Sequence, residues 1–441
     1  MARRCIGLDV HREFAQIAVW EDGRVRQAGQ IAMTAEALRV FADSLGPEDE
    51  VAIEATCNTH AIVRLIEPRV ARVVVSNPLK TRAIAEAKVK TDKVDARVLC
   101  ELLAADYLPS VWVADEGTQA LRRQVARRAN VVRQRTRLKN QVQAILQRNL
   151  IPRCPAADLF GVKGRCWLAD QHLPADEEFA IEALVRQLDF HGQELRIIDA
   201  ALGRIALERD EVRRLMTIPG IDATVALSIV AAVGDFRRFR RPEQLVSYLG
   251  LNPRVRQSGS QTASHGRITK QGRAHARGML VEAAFTAART PGPLRAFFER
   301  VRGRRGMQIA VVATARKLVC LCWTMIERGE DYAFARPTLT DKKLRALELR
   351  AGMPSRRGKK GPAAAYSLKE VRRRELELSE QAENAYRQQV ADWKAAGPAR
   401  AGVAAANGTR LKRPSVGQAA RQASVPEPAL RSGVDHAQPE A

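Results

Sequence analysis

The segment RCIGLDVHREFAQIAVW, residues 4–20, sets two apolar runs, RCIGLDV and FAQIAVW, on either side of the polar His11, Arg12 and Glu13. Each run is too short for a buried helix and is bounded by polar residues, so the pair reads as a hairpin of β-strands. The first strand ends on Asp9, an acid closing an otherwise apolar run. Working outward, GRVRQAGQIAM (23–33) predicts a third strand, and TAEALRVFADSL (34–45) a helix with Thr34 as its N-cap. EVAIEA (50–55) is then a strand ending on Glu54, followed by a short helix, the strand ARVVVSN (71–77), and helices from Pro78 onward.

Three antiparallel strands followed by helix, strand, helix, strand and helix is the element order of a ribonuclease-H-like α/β domain, placed at residues 1–110. Order alone is shared with other α/β folds. VKTDKVDARVL (89–99) adds two more acids. Val94, Val98, Leu99 and Leu102 predict a helix from Asp92 to Leu102, whose i,i+3 spacing stacks the carboxylates of Asp92 and Asp95 side by side. Asp9, Glu54, Asp92 and Asp95 together supply the carboxylates that two Mg²⁺ ions, or Mn²⁺, would need to activate an attacking and a leaving oxygen. Each acid also has a simpler explanation. Asp9 suits a hairpin turn, Glu54 a strand end, and Asp92 a helix N-cap with Asp95 in the favourable first turn.

Composition narrows the class. The 441 residues carry 73 Lys and Arg against 49 Asp and Glu, a formal net charge of +24, which makes a polyanion the default partner. Nucleic acid leads and an anionic membrane surface follows. MARRCIGLDV is not a secretory signal, and ATVALSIVAAVG and IAVVATARKLVCLCW are too short or too charged to span a bilayer. Seven scattered cysteines without a CxxC pair argue for reduced thiols in a cytoplasm and against zinc, with Cys320 and Cys322 as buried helix residues.

From Gly117 to Leu150, Leu121, Val125, Val132, Leu138, Val142 and Ile145 recur near a helical period, and the span carries nine Lys or Arg and no acid. A partner helix over Glu178 to Arg214 would cover the apolar stripe, giving a basic coiled coil at 111–210. Its outer face, with Arg127, Arg128, Arg133 and Arg137, is either a phosphate-binding surface or a solvated basic face. Residues 211–335 read as a helical domain, with IPGI (218–221) as a helix-hairpin-helix-like turn whose amides could meet a phosphate. NPRVRQSGSQTASHGRITKQGRAHAR (252–277) combines Arg254, Arg256, Arg267, Lys270, Arg273 and Arg277 with Ser258, Ser260 and Ser264. Gly and Ser between basic groups can cradle a phosphate, and a serine there either attacks it or is simply a loop residue. Residues 336–441 read as a basic, largely disordered tail around one charged helix near 367–393.

IGLDVHRE, IEATCNTH, VSNPLKTRAIAEAKVKTDKVDARVL, IPGI and YLGLNPRVRQSGSQTASHGRITKQG, in that order over residues 4–330, resemble the DEDD-class insertion-sequence transposases of the IS-one-ten type. The N-terminal domain of that family is similar to the RuvC Holliday-junction resolvase. The resemblance implies that Asp9, Glu54, Asp92 and Asp95 are the DEDD acids and that Ser258, in QSG, is the nucleophile. It further implies a composite site between subunits of a homodimer assembling to a tetramer, a DNA-phosphoserine intermediate, donor and target DNA, and a structured bridge RNA as guide. A cytoplasmic, nucleoid-associated bacterial protein is expected. Cys57 and His60 stand where relatives carry a glycine followed by an aromatic residue. Two other classes fit the same residues. One is a hydrolytic resolvase-like nuclease using only the acids, and the other a non-catalytic nucleic-acid-binding protein.

Overall fold

The computed structural model describes residues 3–85, 91–259, 262–354 and 362–395, with the side chains of 265 and 362–367 excepted. The first half is a mixed sheet. Strands β1 (Cys5–Val10), β2 (Phe14–Glu21), β3 (Arg24–Ala32), β4 (Glu50–Glu54) and β5 (Arg72–Ser76) lie in the order β3-β2-β1-β4-β5. The first three are antiparallel, and β4 and β5 run parallel to β1. The tight link from β2 to β3 is Asp22-Gly23, both at positive φ, the conformation that matches the twist of a two-residue hairpin. Helix α1 (Ala35–Asp43), capped by Thr34 as expected, and α2 (Thr59–Ile66) make the crossovers that parallel pairing requires.

The two faces of this sheet differ. Ile6, Leu8, Ile17, Val19, Val51 and Ile53 alternate onto one face and are sealed by Leu38 of α1 and by Ile62, Val63 and Ile66 of α2. On the other face three small residues, Ala18, Gly7 and Ala52, stand abreast across β2, β1 and β4. Helix α4 (Asp92–Ala104) lies in that trough through Ala96, Leu99, Cys100 and Leu103. Burying Leu99 and Leu103 there contributes roughly 2 kcal/mol each. A Cβ on Gly7 would stand 2.2 Å from the carbonyl oxygen of Ala96 and 2.7 Å from the amide nitrogen of Cys100, so only glycine permits this approach. Helix α3 (Pro78–Ile84) precedes α4, and the expected helical stretch between them falls partly on residues 86–90, outside the described residues.

Helix α5 (Glu116–Arg148) is close to its predicted span, capped by Asp115, which accepts from the Thr118 N–H at 2.8 Å. Its buried stripe uses Val131, while Val132 faces solvent, a one-residue correction to the apolar period. The partner is α7 (Ala175–Leu207). With α6 (Val162–Ala169) it closes a core of Val142, Ile145, Leu146, Leu168 and Ile181. Arg148 pairs with Glu177 at 2.5 Å and Arg127 with Glu194 at 2.9 Å, which sets the two helices antiparallel. The partner helix was expected to run to Arg214. It ends at Leu207, and α8 (Asp210–Met216) is a separate helix.

The chain forms two compact units. One comprises residues up to 198 with 231–234, and the other residues 199–230 and 235 onward. The second unit contains α8, most of α9 (Ala223–Val233), α10 (Pro242–Tyr248), α11 (Ala274–Arg289), α12 (Pro293–Arg305) and α13 (Met307–Arg328). Within this helical region the polar Gly/Ser-rich stretch, where helix formers are scarce, holds an antiparallel pair, β6 (Pro253–Arg256) and β7 (Ser264–Ile268). Helix α13 is long and apolar enough to cross a membrane by length and composition. In this unit it is a core helix, burying Ala310, Val311, Ala315, Leu318, Val319 and Cys322 and packing on α10, α11 and α12.

The tail is more ordered than its composition implies. Helices α14 (Pro337–Arg350) and α15 (Pro362–Ala395) continue the unit. The charged helix is present, and α14 was not foreseen. Glu383 of α15 accepts from the Gly292 N–H at 3.0 Å, from Arg295 at 2.8 Å and from Arg387 at 2.7 Å, which ties α15 to the start of α12. Lys343 of α14 donates from Nζ to the carbonyls of Met216, Ile218 and Ile221 and so closes the IPGI turn. Residues 396–441 lie outside the described residues.

Candidate active site

The acids converge because of strand alternation. Cys5, Gly7 and Asp9 share the α4 face of β1, and Ala52 and Glu54 share the same face of β4. The parallel register pairs Leu8 with Ile53, so Asp9 and Glu54 are neighbours one step further along, at the strand ends. Helix α4 brings its first turn over them. Its N-cap is Thr91, whose Oγ1 accepts from the Val94 N–H at 3.3 Å, and Asp92 is therefore released from the capping role that would have explained it.

Asp92 instead reaches His11. Nε2 of His11 lies 3.3 Å from Oδ1 of Asp92 and 3.1 Å from Oδ2 of Asp9, and one ligand atom from each of Asp9, His11 and Asp92 falls within 4.8 Å of the others. The imidazole is steadied by the ring of Phe14, 4.9 Å away between centroids. Asp9 is only 8% exposed. Burial pushes its carboxyl above the ordinary carboxylate value; His11 opposes the shift, and the charges of Asp95 and Asp92 add to it. Two carboxylates and an imidazole facing one point form an anionic, mixed oxygen and nitrogen donor set of the kind that holds a divalent cation. Glu54 and Asp95 are half-buried beside this group but are not members of the three-residue cluster. His11 was not singled out from the sequence. The signal was present in DVH, since a residue two places beyond Asp9 stays on the same side of an extended chain.

The serine segment lies in the second unit. Ser258 is exposed, two residues beyond β6 and followed by Gly259 at φ +56°. Arg254 and Arg256 from β6, with Arg267 and Lys270 from and beyond β7, line one cleft of the hairpin together with Ser264 and Gly266. Ser260 lies outside the described residues. Two glycines lock the hairpin root. Gly250 (φ +72°) lies against the carbonyl of Gln271, and Gly272 (φ +110°) against that of Tyr248, each too close for a Cβ. Arg273 donates from Nε to Tyr248 Oη at 3.1 Å, so part of its function is to brace this root. Arg238 lies over the rings of Phe239 and Tyr248, at 4.0 and 4.3 Å.

The other candidates divide. Arg133 and Arg137 are exposed on α5, Arg128 is half-buried, and Arg127 is committed to Glu194. The IPGI turn is not open to a phosphate in the way expected. Ile218 and Ile221 are buried, and Asp222 Oδ1 takes the first-turn amide of α9 at Val225. His60, the departure beside Glu54, pairs with Glu116 at 2.6 Å.

The first unit thus carries an acid cluster at the strand ends of its mixed sheet, and the second unit a basic hairpin with an exposed serine. Residues 6–150 match the family model described as a DEDD transposase, and residues 212–299 match that of the transposase IS116/IS110/IS902 family. "Putative transposase y4qE" of Sinorhizobium fredii is 30% identical over 293 residues, 64% of this chain and 71% of that protein. The transposase for insertion sequence element IS1111A of Coxiella burnetii is 27% identical over 252 residues, 55% and 68% of the two chains. The transposase for insertion sequence element IS1328 of Yersinia enterocolitica is 25% identical, covering 64% of this chain and 85% of that one. The chain belongs to the IS110/IS116 family of insertion-sequence transposases, enzymes that act on DNA. Membership implies dependence on a divalent metal ion, for which the Asp9, His11 and Asp92 donor set is suited.

Proposed function

We propose that this transposase cuts and rejoins DNA through Ser258, assisted by a divalent cation, Mg²⁺ or Mn²⁺, held by Asp9, Glu54, Asp92 and Asp95 on a ribonuclease-H-like, RuvC-like domain. The observation that carries the metal half is the meeting of Asp9, His11 and Asp92 at one point. Exposed Ser258 beside a cleft of four basic side chains supports the other half. The Oγ–P bond forms as the P–O bond to the leaving deoxyribose oxygen breaks, the serine proton passing to water and the departing oxygen taking one up, so one phosphodiester replaces another and no ATP is consumed. Arg254, Arg256, Arg267 and Lys270 hold the phosphate and balance the charge that develops on it, while Arg273 holds the hairpin in place. A bound divalent ion would polarise the scissile phosphate and stabilise the leaving oxygen.

In this reading the acids of one subunit serve the serine of another, within a homodimer that assembles to a tetramer on donor and target DNA. A structured guide RNA selects both DNAs by base pairing, and the exposed arginines of α5 contact its backbone or that of DNA. The enzyme works in the cytoplasm on the bacterial nucleoid. The test is a labelled DNA end incubated with protein and Mg²⁺, then denatured. Wild type should yield DNA covalently attached to protein, and Ser258→Ala none. If wild type forms no adduct and Ser258→Ala cleaves equally well, the acids act alone as a hydrolytic nuclease. If Asp9→Ala and Asp95→Ala change nothing, the protein binds nucleic acid without cutting it.

A further inference from the structure

Helix α15 runs past the end of α12. Glu383 of α15 meets Gly292 and Arg295, and Tyr386 meets Arg300 at 3.3 Å, so the two helices point the same way. The residues of α15 on that side are Ser379, Glu383, Tyr386, Val390 and Trp393, at alternating spacings of four and three. Ser379 and Glu383 are buried and Tyr386 and Val390 half-buried, but Trp393 is 68% exposed. Trp393 stands two turns, about 10 Å, beyond Tyr386. Helix α12 ends sooner, at Arg305, where Gly306 at φ +80° turns the chain into α13. The indole therefore overhangs the turn between α12 and α13. That turn is exposed continuously from Arg302 to Ile309, with Met307 at 45% and Ile309 at 52%. The sequence carries no acid from Arg300 to Ile326, and Asp392, beside Trp393, is held by Gln388 at 2.8 Å. Arg302 is tied to Glu299 at 3.0 Å, while Arg304 and Arg305 enter no ion pair among the described residues.

We propose that this patch binds an unpaired stretch of DNA, with one base stacked on Trp393 and the neighbouring phosphates on Arg304 and Arg305. The make-up of the patch selects that occupant. A turn with free arginines and no acid is matched to a polyanion. The indole, Met307 and Ile309 add flat and apolar surface that phosphate contacts alone would not use. A duplex keeps the faces of its bases in the stack and offers only edges and backbone, whereas an unpaired nucleotide presents a π-face and a phosphate together. Trp393, left in water at the end of an otherwise covered stripe, is then a stacking platform. Every base has a π-face, so the patch reads no sequence and serves to hold a strand parted from its complement. The proposal rests on the cutting and rejoining of strands described above only for the source of that unpaired DNA.

The test uses the full-length Ser258→Ala protein without divalent metal, so that no cutting intervenes, and a mixed-sequence single-stranded DNA in which 5-iodouracil replaces thymine. Ultraviolet light joins iodouracil to an aromatic ring stacked on it, and mass spectrometry of the digested complex locates the adduct. An adduct on Trp393 is expected. Trp393→Ala should abolish it and weaken single-strand binding by about 5- to 150-fold, the range for one stacked base, while duplex binding stays within about twofold. Trp393→Phe should keep most of the single-strand affinity. Arg304→Ala and Arg305→Ala should each lower the slope of log affinity against log salt for the single strand by about 0.7. Trp393 is exposed, so circular dichroism of its variants should match that of the parent protein. A saturated complex without an adduct on Trp393, a single-strand affinity indifferent to Trp393→Ala, or an equal loss of single-strand and duplex binding would overturn the proposal. So would an adduct formed with iodouracil-containing RNA but not with DNA. The readout needs neither Ser258 nor a metal ion, so its failure leaves the serine reading standing, and a missing Ser258 adduct leaves this patch standing.

Discussion

His11 Nε2 stands 3.3 Å from the carboxylate of Asp92, joining the end of β1 to the first turn of α4 across 81 positions of chain. Thr91 caps the helix, so Asp92 is positioned toward the strand ends instead of serving its own amides.

Asp92→Asn and Asp95→Asn should each lower DNA strand cleavage by about 100-fold or more while leaving nucleic-acid affinity nearly unchanged. Both remove charge from the proposed cation site and neither alters a proposed phosphate-binding group. Parallel gel-based cleavage and filter-binding measurements decide it. Weakened binding with normal cleavage would be contradictory.

His11→Ala should reduce cleavage by about 10- to 100-fold, the range for a group that orients or supplements metal ligands. Raising the Mn²⁺ concentration should recover part of the activity if the imidazole helps hold the ion. An activity indifferent to the substitution at every metal concentration would reduce His11 to a surface neighbour.

Replacing Arg133 and Arg137 should weaken nucleic-acid binding and lower the slope of log affinity against log salt by about 0.7 to 0.9 for each phosphate left unneutralised. Arg127→Ala should act differently, because its guanidinium is held by Glu194 and its removal loosens the α5–α7 pair. If replacing Arg133 and Arg137 leaves the slope unaltered, that face of α5 is only solvated.

Glu383 gives the pH prediction. Its side chain is 5% exposed; burial alone would raise the carboxyl, but Arg387, the Gly292 amide and Arg295 together hold it below the ordinary glutamate value. A depressed acid binds fewer protons folded than unfolded, so its stabilisation is complete above the ordinary value and disappears as pH falls through the lower folded value. The docking of α15 on α12 should therefore survive mild acid and fail only below the usual glutamate range. Glu383→Ala should cost about 1–3 kcal/mol at neutral pH, because the Gly292 amide loses its acceptor while Arg295 and Arg387 remain partly solvated. Amide exchange across α15 reports both effects, and protection unaffected by the substitution would refute them.

The sheet and the acid positions were legible in the sequence because both follow from short-range pattern. Apolar runs alternate, turn residues punctuate them, and strand ends announce themselves with Asp9 and Glu54. What escaped depended on partners distant in sequence. Val131 rather than Val132 faces the core because α7 decides which side of α5 is inside. α14 escaped because the basic, Gly- and Pro-rich composition around it resembles disordered chain, while its anchor, Lys343, finds its acceptors at residues 216–221. His11 was hidden for the same reason. Its importance appears only when α4 folds back onto β1.

Gly7 bears on how related copies of such elements should be judged. The four acids can all be intact in a copy whose Gly7 has become alanine, yet one added methyl meets the Ala96 carbonyl at 2.2 Å and must lift α4 off the sheet. That copy would be inert with a perfect acid signature. On the proposed reading, a census of competent elements that scores only the carboxylates will overcount, because the missing side chain at position 7 is what lets α4 carry its acids onto the sheet.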